Sequence, residues 1–196
     1  MNGRTRILSL LEGRAPDRLP LMPITMMFAA DQIGVPYREY ATDHKLLVRG
    51  QIETARRFDI DHVSAISDPC REAADLGATI EYSPNLPPAV VESRALLSDP
   101  RHLARLDCPD PTSSPRMADR IAAIALLHQE IGDEKLVEGW VEGPCAEAAD
   151  LRGINTLMLD FVDEPDFVRN LCGFCVDLAL RFARVLSWRP WYSGQA

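Results

Sequence analysis

Short apolar segments alternate along this sequence with longer stretches in which apolar residues recur at helical spacing. Residues 19–22, 62–66 and 136–141 are apolar runs bounded by turn-forming or charged residues, and each is predicted to form a buried strand. Residues 47–58 and 117–131 carry apolar side chains every three or four positions, which predicts amphipathic helices. This alternation of strand and helix predicts an α/β fold.

Three further segments complete the predicted architecture. Residues 78–93 place two short apolar runs on either side of a proline-rich turn and predict a small hairpin. Residues 98–115 contain several prolines and predict a surface connection. Pro165 is expected to open a long amphipathic helix. The apolar positions of that helix are Val168, Leu171, Cys175, Leu178, Phe182 and Val185.

Length and composition restrict the class of protein. The chain of 196 residues suits one domain, whole or partial, and is shorter than the about 250 residues of a complete (β/α)₈ barrel. No apolar run approaches the roughly 20 residues of a membrane span, so we expect a soluble protein with no membrane partner. The apolar run at residues 7–11 is too short for a signal peptide, which favours a cytoplasmic location.

Charge and cysteine usage exclude two further classes. The formal net charge of −8 disfavours nucleic acid as a partner, because phosphate binding requires a basic face. The five cysteines are odd in number and unclustered along the sequence, so free thiols are expected rather than a disulfide framework. Cys172 and Cys175 lie three positions apart in the last predicted helix and are expected to be core and groove residues.

Four short motifs stand out by their order along the chain. They are Arg-Ala-Pro-Asp-Arg-Leu-Pro at 14–20, Ala-Ile-Ser-Asp at 65–68, Gly-Pro-Cys at 143–145 and Asp-Glu-Pro at 163–165. The ordered set resembles the N-terminal half of the uroporphyrinogen decarboxylase superfamily. That superfamily also includes cobamide-dependent methyltransferases, which pass a methyl group to coenzyme M and related thiols.

The resemblance implies a fold and a domain division. It implies a partial TIM (β/α)₈ barrel of about the first three to four β/α units, with the small hairpin as an excursion. Residues 1–186 would be the N-terminal part of such a barrel, and residues 187–196 an atypical tail. Our hypothesis for that tail is a frameshift or gene break that replaces the family's fourth strand.

The active site is expected where the loops leave the carboxyl ends of the barrel strands. Asp68 and the turn formed by Gly143, Pro144 and Cys145 would both lie there. In the decarboxylases, as the resemblance implies, the aspartate matching Asp68 contacts the pyrrole nitrogens and stabilises a cationic intermediate. Asp68 is therefore the candidate catalytic residue, and a local role capping the next helix is an equal alternative.

Departures from the decarboxylase pattern point to the methyltransferase branch. The family's Arg-Gln-Ala-Gly-Arg motif is replaced at 25–30 by a segment containing Met26 and Met27, so no arginine fork is expected for a polyacidic substrate. The decarboxylase tyrosine after the third strand is replaced by an acid, which we assign to Asp150. The candidate substrate-binding residues are Met26, Met27, Gly143, Pro144, Cys145 and Asp150.

Structural alternatives exist for several of these candidates. The methionines also suit simple packing, and Cys145 also suits lining of the turn without a chemical role. Glu147 and Asp150 are either site acids or first-turn residues that complement a helix dipole, with the second reading favoured.

The methyltransferase branch implies cofactors that this chain does not supply. Its zinc is held by a His-x-Cys pair and a distant cysteine from later strands, and no His-x-Cys occurs in this sequence. We therefore predict no cofactor or metal ligand within this chain, and zinc and a corrinoid only for the complete enzyme.

Three functions are consistent with the sequence. The first is the truncated half of a cobamide-dependent methyltransferase that passes a methyl group to a thiol, acting on a small molecule or a corrinoid protein. The second is a tetrapyrrole decarboxylase-like lyase. The third is a non-catalytic half that pairs with a separate C-terminal half. Because such a fragment exposes a strand edge, a homo-oligomer or that C-terminal partner is expected.

Overall fold

A computed structural model describes residues 1–187 of the chain. Its helices are α1 (Gly3–Leu11), α2 (Met26–Gln32), α3 (Tyr37–Thr42), α4 (His44–Arg57), α5 (Arg71–Asp75), α6 (Pro115–Ile131), α7 (Pro144–Arg152), α8 (Ile154–Asp163) and α9 (Pro165–Leu186). Its strands are β1 (His62–Ser64), β2 (Ile80–Glu81), β3 (Ala89–Val90) and β4 (Leu136–Glu138). Two short 3₁₀ turns, Glu92–Arg94 and Pro100–Arg105, lie between β3 and α6. The predicted tail at 187–196 lies outside the described residues except for Ser187, which ends α9.

The strands form two small sheets that confirm the α/β class. β1 and β4 pair in parallel, with Val63 opposite Val137. β2 and β3 pair antiparallel as the predicted hairpin. Within residues 1–187 the parallel sheet has two strands, fewer than three to four β/α units require. The partial barrel therefore stays a prediction.

The strand predicted for residues 19–22 is wrong. This segment belongs to no helix or strand, and Leu21 instead exchanges hydrogen bonds with Asp61. Pro20 and Pro23 flank it, and a proline has no backbone N–H to donate to a ladder. The apolar pattern identified a segment that lies beside the start of β1, but it did not reveal that this segment lacks the hydrogen bonds of a strand.

The predicted helices are confirmed, and α4 and α6 pack against the parallel strands. α4 and α6 pack against one another and, with β1, form a core that contains Leu47, Val63 and Leu127. α7 and α9 form a second core around Leu151 and Leu171. Each such fully buried leucine stabilises the fold by about 1.5–3 kcal/mol. None of the described helices is long and apolar enough to cross a membrane.

The face of α9 is buried as its spacing predicts. Pro165 occupies its first turn, and Asp166 lies beside it, where a negative charge complements the helix dipole. Its buried residues are Val168, Leu171, Cys175, Leu178 and Phe182. Val185, predicted for the same face, is partly exposed.

Asp61 ties the N-terminal segment to both parallel strands. Its fully buried carboxylate accepts hydrogen bonds from Arg6, from Arg18 Nη1 at 2.6 Å and from the Leu21 amide at 2.8 Å. Its backbone carbonyl accepts from the amide of Leu136, the first residue of β4, at 3.2 Å. Burial alone would raise the pKa of Asp61, but the hydrogen bonds from Leu21 and Arg18 and the charge of Arg6 hold it below its usual value.

Asp61→Asn is expected to lower the free energy of unfolding by about 3–5 kcal/mol, because it leaves the buried Arg6 guanidinium without its buried anionic partner. The matched control is Asp59→Asn, since the Asp59 side chain is 78% exposed and its pair with Arg18 lies at the surface. That control is expected to cost about 0–1 kcal/mol. Urea unfolding at pH 7 measures both, and equal losses would contradict the assigned role of Asp61.

Candidate active site at the carboxyl ends of the parallel strands

The loops that follow β1 and β4 leave the same edge of the sheet because the two strands are parallel. The first loop carries Asp68, and the second contains Glu142 and leads through Gly143 into α7. A hydrogen bond joins the two regions directly, from the Glu142 amide to Glu72 Oε1 on α5 at 3.0 Å. In parallel α/β folds this edge is the usual place for an active site.

Asp68 is a buried anion with a defined set of donors. It is 1% exposed, and its Oδ2 accepts from Ser67 Oγ at 2.6 Å and from Arg116 Nη2 at 2.5 Å. The thiol of Cys70 donates to Oδ1 at 3.4 Å. The cap of α5 is Cys70 and makes no side-chain capping bond, so the alternative of Asp68 as a helix cap is wrong.

Arg116 is positioned for this pairing by its own helix. It lies in the first turn of α6, where the carboxylate of Asp75 accepts from the amides of Arg116 and Met117 at 3.0 and 2.8 Å. The guanidinium also donates to the Tyr82 hydroxyl at 3.2 Å and lies over the Tyr82 ring. The hairpin residue Tyr82 thus helps to hold the Arg116 guanidinium that pairs with Asp68.

Two further arginines are buried beside this ion pair. Arg71 is fully buried and donates from Nη1 to the Asp68 carbonyl at 2.8 Å, and Arg120 is 1% exposed and pairs with Asp119. Within the described residues, Nε and Nη2 of Arg71 and Nε and Nη1 of Arg120 have no hydrogen-bond acceptor. Unsatisfied buried donors cost about 1–3 kcal/mol each, so this interior is suited to further anionic or water oxygens.

A group of carboxyl side chains lies on the side of the site near Arg71. Glu72 and Glu147 are 1% and 2% exposed, and Glu142 and Asp150 are partly buried. Both carboxyl oxygens of Glu147, Oε2 of Glu72 and Oδ2 of Asp150 lack hydrogen-bond partners among the described residues. We refer to Glu72, Glu142, Glu147 and Asp150 as the carboxyl cluster.

Burial and mutual repulsion give the carboxyl groups of this cluster different pKa values. Burial, followed by the charges of Glu72, Asp150 and Glu142, raises the pKa of Glu147 to about 9. Burial and the nearby acids raise the pKa of Asp150 to about 6. Near pH 7.5 Glu147 is therefore neutral and able to donate a proton, whereas Asp150 is mostly ionised and able to accept one. Carboxyl groups whose pKa values are driven apart are typical of acid–base sites.

The sequence profile of the uroporphyrinogen decarboxylase (URO-D) family matches residues 2–187. The chain belongs to the uroporphyrinogen decarboxylase family.

Two curated sequences and one solved structure to which this chain is similar are methyltransferases. Two curated sequences of methylcobamide:CoM methyltransferase MtaA from Methanosarcina barkeri, one of them from strain Fusaro, are each 22% identical over 191 residues. Each match covers 93% of this chain and 54% of the relative. The solved structure of a methyltransferase from Methanosarcina mazei superposes with a TM-score of 0.83 at 20% identity, covering 95% of this chain and 56% of that one. The chain thus spans about half the length of these relatives.

The candidate residues from the family motifs are distributed unevenly around the site. Gly143 precedes α7 as its cap, Pro144 opens it, and Cys145 is exposed in its first turn. Met26 packs against the core beneath α2, and Met27 is 42% exposed. Their substrate-binding roles stay predictions.

Asp150 lies at the site, but not as a first-turn residue. It is in the second half of α7 and lines a cleft of about 290 Å³ together with Cys70, the hairpin and the start of α8. Glu147 is in the first turn, yet its carboxyl group is buried among other acids instead of facing solvent. The first-turn reading is therefore wrong for Asp150, whereas Glu147 does lie in the first turn, as that reading expects.

Sequence reasoning missed the charged partners of Asp68. Arg116 and Arg120 are four positions apart at the start of a helix, a spacing that places them on one face, but arginines are usually assigned to solvent. Arg71 follows the Asp68 loop directly. The family's arginine motif is absent from residues 25–30, but these arginines from α5 and α6 bring positive charge to the same edge.

Within residues 1–187 no three His, Cys, Asp or Glu side chains are arranged to hold a metal ion. The donor set of the described residues therefore does not fit the zinc of the methyltransferase branch, and no metal is assigned to this part of the chain.

The unfolding free energy is expected to fall as pH rises from about 5 to about 9. In that window unfolded Glu147 has lost its proton, above its ordinary value of 4.5, while the folded group keeps it up to about 9. The folded state then binds more protons, so rising pH favours unfolding. The Glu147→Gln variant has no group that titrates at this position. Its unfolding free energy minus that of the native chain should therefore increase by a few kcal/mol from pH 5 to pH 9.

Thermal and urea unfolding at pH 5, 7 and 9 measure this difference. Glu130→Gln, on the exposed side of α6, is the matched control and should leave the slope unchanged. Parallel curves for the native chain and Glu147→Gln would show that Glu147 titrates as an ordinary surface acid.

Proposed function

We propose that this chain forms the N-terminal part of a cobamide-dependent methyltransferase that passes a methyl group to a small thiol. The observation that carries the proposal is the buried charged site around Asp68 and the carboxyl cluster, at the strand edge of a fold shared with a methyltransferase. The names of the relatives from Methanosarcina barkeri support methyl transfer to coenzyme M as the reaction class.

The chain requires further polypeptide for this activity. It spans about half of its relatives, and its described residues offer no zinc set. We propose that the remaining half of a barrel supplies the metal, whose chemistry is to lower the pKa of the bound thiol, and binds the corrinoid that donates the methyl group. That half is either part of the same longer protein or a separate chain.

The proposed contribution of this chain is to bind the thiol substrate, to orient it and to take up its proton. A thiol loses its proton when its sulfur forms a bond to the methyl carbon, so a site for this reaction benefits from a base with a pKa near the working pH. Asp150, with a pKa of about 6 and a position on the cleft, suits that role. Asp68, fixed by Arg116, orients the loop whose residues Pro69 and Cys70 also line the cleft.

Asp150→Asn is expected to lower kcat for methyl transfer by about 10²-fold or more, since it removes the proton acceptor. The rate of the native enzyme should fall below about pH 6 as Asp150 becomes protonated, and the variant should lose that limb. The assay follows loss of methylcobalamin with coenzyme M, using this chain together with the C-terminal segment of a methanosarcinal relative. Asp166→Asn, exposed on α9, is the control. An unchanged rate and pH profile in Asp150→Asn would contradict the proposal.

A second candidate, decarboxylation of a polycarboxylate such as a porphyrinogen, is favoured by one observation. Arg71 and Arg116 donate to Asp68, Arg120 lies near both arginines, and each guanidinium has a donor without an acceptor among the described residues. Arginines are well suited to carboxylate recognition, and an aspartate is suited to stabilising developing positive charge. Release of carbon dioxide from uroporphyrinogen by the same paired chains, without methyl transfer, would favour this candidate.

Two surfaces support pairing of this chain with a C-terminal half. If the chain has no catalytic activity, such pairing is the third candidate function. A groove of about 350 Å³ runs along the outer edge of β4 and is lined by Val137, Val141 and Leu186, close to the end of α9. On the other side of the sheet Leu19 and Ile24 are 78% and 59% exposed. We propose that the missing half of the barrel covers both surfaces, because the relatives contain about as much chain again.

Val141→Asp is expected to weaken binding of the C-terminal segment by about tenfold or more, because it places a carboxylate among the apolar groove residues Val137 and Leu186. Val162→Asp is the matched control, since Val162 is 81% exposed on α8 and lies outside the groove. Titration with light-scattering detection measures the affinity. Equal effects of the two substitutions would contradict the groove as the pairing surface.

A further inference from the structure

The cleft beside Asp150 combines acidic and apolar side chains. It has a volume of about 290 Å³ and lies between the loop after β1, the hairpin, α7 and the start of α8. Its apolar lining includes Pro69, Val90 and Ile154. The charged side chains among its described lining residues are those of Glu92 and Asp150, and both are acids. The volume is near the lower limit of ligand sites, so the cleft suits a small molecule.

Glu92 is positioned at this cleft by the first turn of α8. Its Oε1 accepts hydrogen bonds from the Asn155 amide at 3.2 Å and from Asn155 Nδ2 at 3.3 Å. Glu92 is exposed, and it makes no ion pair with any described residue. Its negative charge is therefore held in place and available to a ligand.

Asp150 adds a second unpaired charge and lies near other acids. Its Oδ2 is buried and has no hydrogen-bond partner among the described residues. Glu147 lies three positions earlier on the same face of α7, is 2% exposed and leaves both carboxyl oxygens without partners in that part of the chain. Burial, followed by the charges of Glu142, Glu72 and Asp68, raises the pKa of Asp150. A cation in the cleft would relieve this repulsion and give Asp150 Oδ2 a hydrogen-bond donor.

The buried arginines of the site do not neutralise this cleft. Arg116 Nη2 lies 2.5 Å from Asp68 Oδ2, and Arg71 Nη2 lies 3.5 Å from Glu72 Oε2. Neither arginine is among the described residues that line the cleft. Because each guanidinium already faces its own carboxylate, the two acids of the cleft keep a negative potential that attracts cations.

We propose that this cleft binds a small primary amine, and that the thiol substrate of this chain is therefore an aminoalkanethiol. The ammonium group donates charge-assisted hydrogen bonds to Glu92, the methylene groups contact the apolar walls, and the thiol lies toward Asp150. A sulfonate or carboxylate in the same cleft would meet two acids. The choice of a thiol rests on the proposed function, whereas binding of the ammonium group does not.

The ammonium group also assists the chemistry without reacting. A positive charge close to the sulfur favours the thiolate, because an opposite charge stabilises the ionised form. In the transfer the bond between sulfur and the methyl carbon forms, and the bond between the methyl carbon and its donor breaks with the electron pair left on the donor. The thiol proton passes to Asp150.

Two other kinds of cation fit the cleft less well. Within residues 1–187 no three His, Cys, Asp or Glu side chains are arranged to hold a metal ion. Quaternary ammonium groups are usually recognised by aromatic faces, and the described lining of the cleft contains no aromatic side chain. A primary ammonium needs carboxylate acceptors, which the cleft offers.

NMR titration of the reduced, nitrogen-15-labelled chain at pH 7.5 compares the amine, alcohol and sulfonate forms of one thiol. These are 2-aminoethanethiol, 2-mercaptoethanol and coenzyme M. The amine should bind about tenfold or more tightly than the alcohol, and the sulfonate more weakly than the alcohol. Amide signals of residues 89–92 and 149–154 should shift with the amine.

Glu92→Gln tests the acid that receives the ammonium group. Glutamine keeps an oxygen for Asn155 but removes the charge, so affinity for aminoethanethiol should fall by about tenfold while affinity for mercaptoethanol stays the same. Glu81→Gln is the matched control, since Glu81 is exposed on β2 and lies outside the cleft. Equal affinities for the amine and the alcohol, tighter binding of the sulfonate, or amine-induced shifts confined to other residues would overturn the proposal.

Methyl-transfer assays separate this proposal from the proposed function. They use this chain together with the C-terminal segment of a methanosarcinal relative, and either aminoethanethiol or coenzyme M as acceptor. Amine binding at the cleft without methylation of either thiol would retain the ammonium site and contradict the proposed function. Methylation of coenzyme M in preference to aminoethanethiol would retain the function and overturn the aminoalkanethiol as substrate.

Discussion

The ion pair between Asp68 and Arg116 is the contact on which the candidate site depends. It fixes the loop after β1 to the first turn of α6, and Asp75 caps that turn from α5. Removing either charge would leave the other buried and unpaired, a larger cost than the pair's own net contribution. The loop, the two helices and the hairpin residue Tyr82 are therefore positioned together.

Around this pair the chain buries more charge than stability requires. Arg71, Arg120 and Glu147 each keep polar atoms without partners among the described residues, although apolar side chains of similar size would pack at lower cost. Fold stability comes from the leucine-rich cores and from Asp61, which lies beyond the opposite end of β1. The unsatisfied groups lie where the family places its chemistry, which is consistent with selection for function instead of stability.

The sequence alone predicted the helices and the edge of the sheet at which the candidate site lies. Apolar periodicity located α4, α6 and α9, and the order of the motifs placed Asp68 and Gly143 on neighbouring loops. The strand predicted for residues 19–22 was wrong, because the flanking prolines have no backbone N–H to donate to a strand ladder. Arg71 and Arg116 were missed because residue type alone assigns charged side chains to solvent. Burial and proximity of side chains distant in sequence thus decide the charged site, and only the three-dimensional fold supplies them.

The most direct test of the central claim is the titration of Glu147 itself. Carbon-13 NMR of the side-chain carboxyl groups, with the signal assigned by its loss in Glu147→Gln, measures the protonation of this one group. A buried carboxyl cluster that holds a proton at neutral pH predicts a midpoint near 9. A midpoint near the ordinary value of 4.5 would show a solvated acid and would contradict the account of this edge as a preorganised acid–base site.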